Sequence, residues 1–225
     1  MKRIFSLLLC LIFVVILNSQ VEARPQVTKY YYDFPAQPLV TGQTVSYTSG
    51  TTAYDDGDLE SGVTRDYTVL TTGQYAGTTN ITINAKTIAM ENACTIDNQS
   101  GLMWMSRTPD SDIGPGNDGK LYWSIDVDEN IWQFLVEANA NSLGGHNDWR
   151  VPNYFELVQI LDVGQNNPCI NTTAFPSTPS DYFWTSSTSL AITANAFIIN
   201  FGNSTVTRNA KRTVVWYVRL VRDAD

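Results

Sequence analysis

The chain has 225 residues, 43% hydrophobic and 16% charged, with 14 Lys+Arg against 22 Asp+Glu, three cysteines and one histidine. That apolar content excludes a disordered chain, and a formal charge of −8 argues against a protein that binds nucleic acid by neutralising phosphates. One histidine cannot build a multi-histidine metal site.

Lys2 and Arg3 form a basic start, Ile4 to Leu17 is almost wholly apolar, and Val21-Glu22-Ala23 closes the segment. This reads as a cleaved signal peptide over 1–23, because an apolar run of about 14 residues is too short to span a bilayer. No other stretch approaches spanning length, so the mature chain is expected to be exported (periplasmic, cell-surface or released) and not transmembrane. Cleavage leaves 12 basic and 21 acidic residues, a charge of −9, and removes Cys10. Two cysteines, Cys94 and Cys169, then stand in an oxidising compartment and are expected to pair. Closing so long a loop contributes about 4–5 kcal/mol in the chain-entropy model.

Residues 24–45 hold Pro25, Pro35, Pro38 and the run Tyr30-Tyr31-Tyr32, and read as an extended arm. The globular domain is expected over 46–225. Asp55, Asp56, Asp58 and Glu60 alternate around Gly57. Two readings stand for them: a calcium loop, and a solvated turn whose Asp side chains bond their own backbone. No cofactor is expected beyond that calcium. Thr79 to Ile83 alternates as a strand.

Two helices are expected. The first covers about 128–141, with Asp128 and Glu129 at its positive end and Trp132, Leu135, Val136 and Ala140 on one face. The second covers about 153–162, opened by an Asn153/Glu156 capping box. Strands follow at 183–188, 196–201 and 214–221, with a turn at Gly202-Asn203. Strands, two helices and further strands indicate an α+β protein with a mainly antiparallel sheet.

Six segments then stand in order: Thr41 to Thr44, Asp55 to Val63, Thr95 to Trp104, Asp148-Trp149-Arg150-Val151-Pro152-Asn153 with Glu156-Leu157, Phe183 to Thr188, and Val218 to Arg222. Together they resemble the C-terminal domain family of the Legionella collagen-like adhesin, long a domain of unknown function, with core motifs over 95–222. Phe183, Thr185 and Val151 stand where the family pattern has Tyr, Ser and Leu, and 64–93 matches poorly. The resemblance implies a C-type-lectin-like fold related to the formylglycine-generating enzyme. It also implies a surface that binds ligands, sulfated polysaccharide in the adhesin itself.

The motif residues Gly101, Trp104, Asp148, Trp149, Arg150, Pro152, Glu156, Trp184, Ser186, Ser187, Arg219 and Arg222 read as mainly structural. Trp104 and Trp149 are expected to be core anchors whose indole N–H finds an acceptor. Asp148 and Arg150 are expected to hold loops, and Glu156 to cap a helix. Catalysis would have to rest on His146 with Asp148 and Ser186 or Ser187, and no nucleophile elbow accompanies them. A non-catalytic binding or adhesion protein is therefore the leading expectation, with an extracellular glycan or a surface protein as partner. An envelope assembly component is the alternative. Tyr122, Trp123 and Tyr182 are the ligand-facing aromatic candidates, and Arg208, Lys211 and Arg212 the basic ones.

Overall fold

The computed structural model describes residues 40–43, 62–109 and 112–225. The signal segment, most of the arm and the Asp55–Glu60 loop lie outside the described residues.

The strands are β1 (Tyr67–Leu70), β2 (Thr78–Ile83), β3 (Lys86–Glu91), β4 (Cys94–Asp97), β5 (Leu102–Met105), β6 (Leu121–Tyr122), β7 (Tyr182–Thr188), β8 (Asn195–Asn200), β9 (Val206–Ala210), β10 (Val215–Trp216) and β11 (Val221–Asp223). Helices α1 (Ile131–Ala140) and α2 (Tyr154–Gln159) lie between β6 and β7. All strand pairs are antiparallel, in sheets ordered β1-β4-β5-β11, β2-β3, β6-β10 and β7-β8-β9. The α+β class expected from the sequence is the one observed.

Each strand's character follows from what covers it. In β2, Ile81 and Ile83 point inward while Asn80 and Thr82 face water, the period of a half-solvated hairpin. β5 is apolar throughout because both faces are covered. Met103 and Met105 enter one core with Ile81, Phe134, Trp149 and Trp184, whereas Leu102 and Trp104 enter a second with Leu157, Phe175 and Phe183. β7 divides the same way, Phe183 into the second core and Trp184 into the first.

This two-core arrangement overturns the expected disulfide. Cys94 and Cys169 are both free buried thiols. Cys94 lies in the first core and Cys169 in the second, so bridging them would require repacking both. Burial pushes the Cys94 thiol up to about 12.

Helix α1 is shorter than expected at its start. Asn130, not Asp128 or Glu129, caps it, accepting from the backbone N–H groups of Trp132 and Gln133 while Gln133 reaches back. Glu129 instead turns under the sheet with φ +60° and pairs with Lys86 at 2.6 Å. The buried face is Ile131, Phe134 and Ala138, with Trp132 and Leu135 on its flank, while Val136 is 62% exposed and Ala140 faces solvent. The expected stripe is thus rotated, because Ile131 and Phe134 carry the inward turn.

Helix α2 opens with the capping box expected of Asn153 and Glu156. It ends at Gln159, before the expected 162, though Ile160 and Leu161 stay buried. The Gly202-Asn203 turn leads from β8 into β9 rather than into the last apolar run. That run, 214–221, is not one strand: β10 pairs with β6, Tyr217 bridges to Phe183, and β11 pairs with β5. The chain serves three neighbours in turn, and each contact needs apolar residues.

Candidate functional site: an aromatic face with a polar cleft

The motif residues bind one another. Trp149 exchanges backbone bonds with the Asn139 side chain, and its Nε1 donates to Leu143 O at 2.9 Å. Arg150 pairs its backbone with Val221 in both directions, and its guanidinium reaches Glu156 at 2.7 Å and Asp223 at 3.3 Å. Glu156 also accepts from Asn153 N at 2.7 Å, so capping the helix and holding Arg150 fall to one carboxylate. Arg222 donates to Asp148 and to Asp225, each at 2.7 Å. Those bonds hold the Asp148 and Asp225 carboxyls below the usual range.

Ser186 donates its backbone N–H and hydroxyl to Pro152 O, and the Ser187 hydroxyl accepts from Tyr154 N at 3.0 Å. The paired serines therefore dock the start of α2 onto β7. Trp184 is fully buried and donates Nε1 to Leu121 O at 2.8 Å. Gly101 takes φ +67° at the β4–β5 turn, donates to Asp97 O and accepts from Ala224 N. Trp104 corrects one expectation: it is fully buried, yet its Nε1 has no acceptor among the described residues.

Arg219 is fully buried and meets no carboxylate among the described residues. It donates to Met105 O (2.5 Å), Ser106 O (2.6 Å) and Thr178 Oγ1 (2.8 Å), with the Phe175 ring 5.0 Å away. Burial pushes it down to about 9.

His146 lies beside Tyr75 Oη (3.1 Å) and Gln74 Nε2 (3.3 Å), with Asp225 at 4.0 Å. Burial, and then the Arg222 charge, lower its pKa. Its partners are not Ser186 or Ser187, which bond Pro152 and Tyr154; the structure does not assemble a serine–histidine pair from them.

The aromatic candidates gather around the ribbon β6-β10. At one end the Trp123 and Trp132 rings meet edge to face at 5.1 Å, and Lys211 Nζ sits 4.0 Å over Trp123. Both indoles are internally bonded, Trp123 to Thr185 O and Trp132 to Trp123 O, and Lys211 donates to Thr188. Desolvation lowers the Lys211 pKa. At the other end Tyr182 lies against Trp216 at 4.9 Å, while Tyr122, next to Trp123, pairs with Val215. Lys120 sits 5.9 Å from the Trp216 ring and 5.4 Å from the Tyr217 ring. Its own burial opposes the charge, but Asp181 at 3.0 Å and Asp118 at 3.7 Å raise its pKa overall.

A cleft of about 290 Å³ opens from Tyr217, lined also by Glu91, Arg107, Thr108, Asp118 and Ser177. Arg107 Nη1 donates to Ser177 Oγ at 3.1 Å. Its Nε lies 2.7 Å from Glu91 Oε2 without the alignment of a hydrogen bond. Burial raises the Tyr217 pKa, so its hydroxyl stays protonated at neutral pH.

The C-terminal basic cluster does not form one patch. Arg219 and Arg222 are buried, Arg212 pairs with Asp126, and Lys211 covers Trp123. Only Arg208 of the five is exposed without a charged partner among the described residues. Lys120, Trp216, Tyr217, Arg107 and Glu91 carry no sequence signal that marks them as site residues. Trp216 and Tyr217 were hidden in an apolar run, and no local pattern links Glu91 to Arg107.

Among the described residues no group of three or more His, Cys, Asp or Glu could hold a metal ion, and no helix is long and apolar enough to cross a membrane. The molecule is thus an α+β domain whose signature residues form its internal scaffold. The model of the Lcl C-terminal domain matches residues 93–222, and the chain belongs to that family. No curated protein matches it.

Proposed function

We propose that this is an exported, non-catalytic binding protein with a C-type-lectin-like fold, and that its ligand is a glycan. The observation that carries this reading is the Tyr217 cleft. There an acid, a base, hydroxyls and an aromatic ring line one cavity, with hydroxyls that no other group of the described residues engages. The signal-like N-terminus supports export. The separation of His146 from the paired serines weighs against the hydrolase alternative.

A glycan array probed with the mature chain, with and without added calcium, tests the proposal. Binding to defined oligosaccharides is expected. No glycan bound under either condition would remove the lectin reading. Dependence on calcium would favour the calcium reading of the Asp55–Glu60 segment.

A further inference from the structure

We infer that the Glu91–Arg107–Tyr217 cleft seats a neutral, hydroxylated sugar unit rather than a sulfated or otherwise anionic one; this deepens the glycan reading and rests on it. The argument starts from charge. A sulfate or carboxylate ligand needs an unpaired cation to offset its desolvation. The lining holds one cation, Arg107, which already has Glu91 at 2.7 Å. The lining acids Glu91 and Asp118 outnumber it, and the neighbouring Lys120 is itself held by Asp181 at 3.0 Å and Asp118 at 3.7 Å, so an anion is disfavoured.

The remaining hydrogen-bonding capacity suits hydroxyls. A sugar hydroxyl both donates and accepts, so it needs mixed partners. Glu91 and Asp118 offer acceptor oxygens, with side-chain exposures of 44% and 41%. The hydroxyls of Thr108 and Tyr217 make no hydrogen bond among the described residues. Ala89, Pro179 and the Tyr217 ring supply apolar wall for the C–H edges of a pyranose. The volume, at about 290 Å³, is at the small end for ligand pockets, which fits one or two sugar units.

The test is calorimetric titration of the mature chain with neutral oligosaccharides terminating in glucose, galactose, mannose or N-acetylglucosamine, with heparin as the sulfated probe. The variants are Glu91→Gln and Asp118→Asn, which keep shape and remove charge. Their thermal midpoints are recorded beside binding. At least one neutral terminus is expected to bind, heparin is not expected to compete, and each variant should weaken binding about tenfold or more with little change in Tm, since hydrogen bonds to charged groups are lost. Neutral binding unaltered by both variants would move the seat elsewhere and leave the glycan reading standing. Binding of heparin alone would overturn the neutral class. No binding by any probe would overturn this inference and the glycan reading together.

Discussion

Arg222 and Arg107 show two ways of using the same side chain. Arg222 is 7% exposed, donates to two carboxylates and to Met103 Sδ, and ties the C-terminal strand to the Asp148 loop. Arg107 is 39% exposed, holds one acid out of hydrogen-bond alignment and fronts a cleft. The buried motif arginines, Arg219 and Arg222, satisfy the molecule internally, whereas Arg107, outside the motifs, fronts a cleft with partners that a ligand can share. A family signature of this kind identifies the scaffold and is silent about the ligand, because the two are built from different residues.

The largest expected break in that contrast is at Arg219. Arg219→Ala removes the donor that two buried carbonyls and Thr178 Oγ1 share, and leaves a cavity, although Thr178 keeps its bond to Phe175 O. It should cost about 3–5 kcal/mol in denaturant unfolding. Arg219→Met, which fills the space, should recover part of that loss. Next comes Asn153→Ala, which removes one half of the α2 capping box and should cost about 1 kcal/mol by the same measurement.

Acid titration separates the two regions further. Arg222 holds the Asp148 carboxyl below its ordinary 3.8. A depressed carboxyl contributes stability that is present above its unfolded pKa and lost as pH falls through the folded one. The clamp therefore weakens only below about pH 4. NMR titration of Asp148 should show the depressed value in the native chain and a return toward 3.8 in Arg222→Ala.

The smallest stability effect belongs to the cleft. Glu91→Gln loosens a half-exposed ion pair and should change stability by less than about 0.5 kcal/mol, while its effect on sugar binding is large. A destabilisation comparable to that of Arg219→Ala would mean that Glu91 belongs to the scaffold. Cys94 gives a separate check on the two cores. As a buried thiol raised to about 12, it should resist alkylation in the native chain and react only on unfolding. Non-reducing mass mapping should find Cys94 and Cys169 unpaired.

Local chemistry was legible wherever a few consecutive residues decide it. Asn153 and Glu156 make their capping box within one turn, and the alternation of β2 declares its wet and dry faces. The order of motifs along the chain carried the family, and strand–helix–strand succession carried the α+β class. Tertiary placement decided the rest. Cys94, on β4, packs in the first core and Cys169, in the segment between α2 and β7, packs in the second, which no count of cysteines reveals. The 214–221 run divides because it meets β6, β7 and β5 in succession, and its apolar residues look alike whichever strand they serve. The five C-terminal basic residues are near in sequence, but burial and pairing disperse them. Glu91, Arg107, Asp118 and Tyr217 are far apart in sequence and meet only because β3, the segment after β5 and the last run fold beside one another. The sequence by itself determined which residues build the scaffold, through caps, alternation and motif order, even though bonds such as Arg222–Asp148 and Arg219–Met105 O join distant segments; only the folded chain could bring together the cleft, whose groups share no sequence pattern.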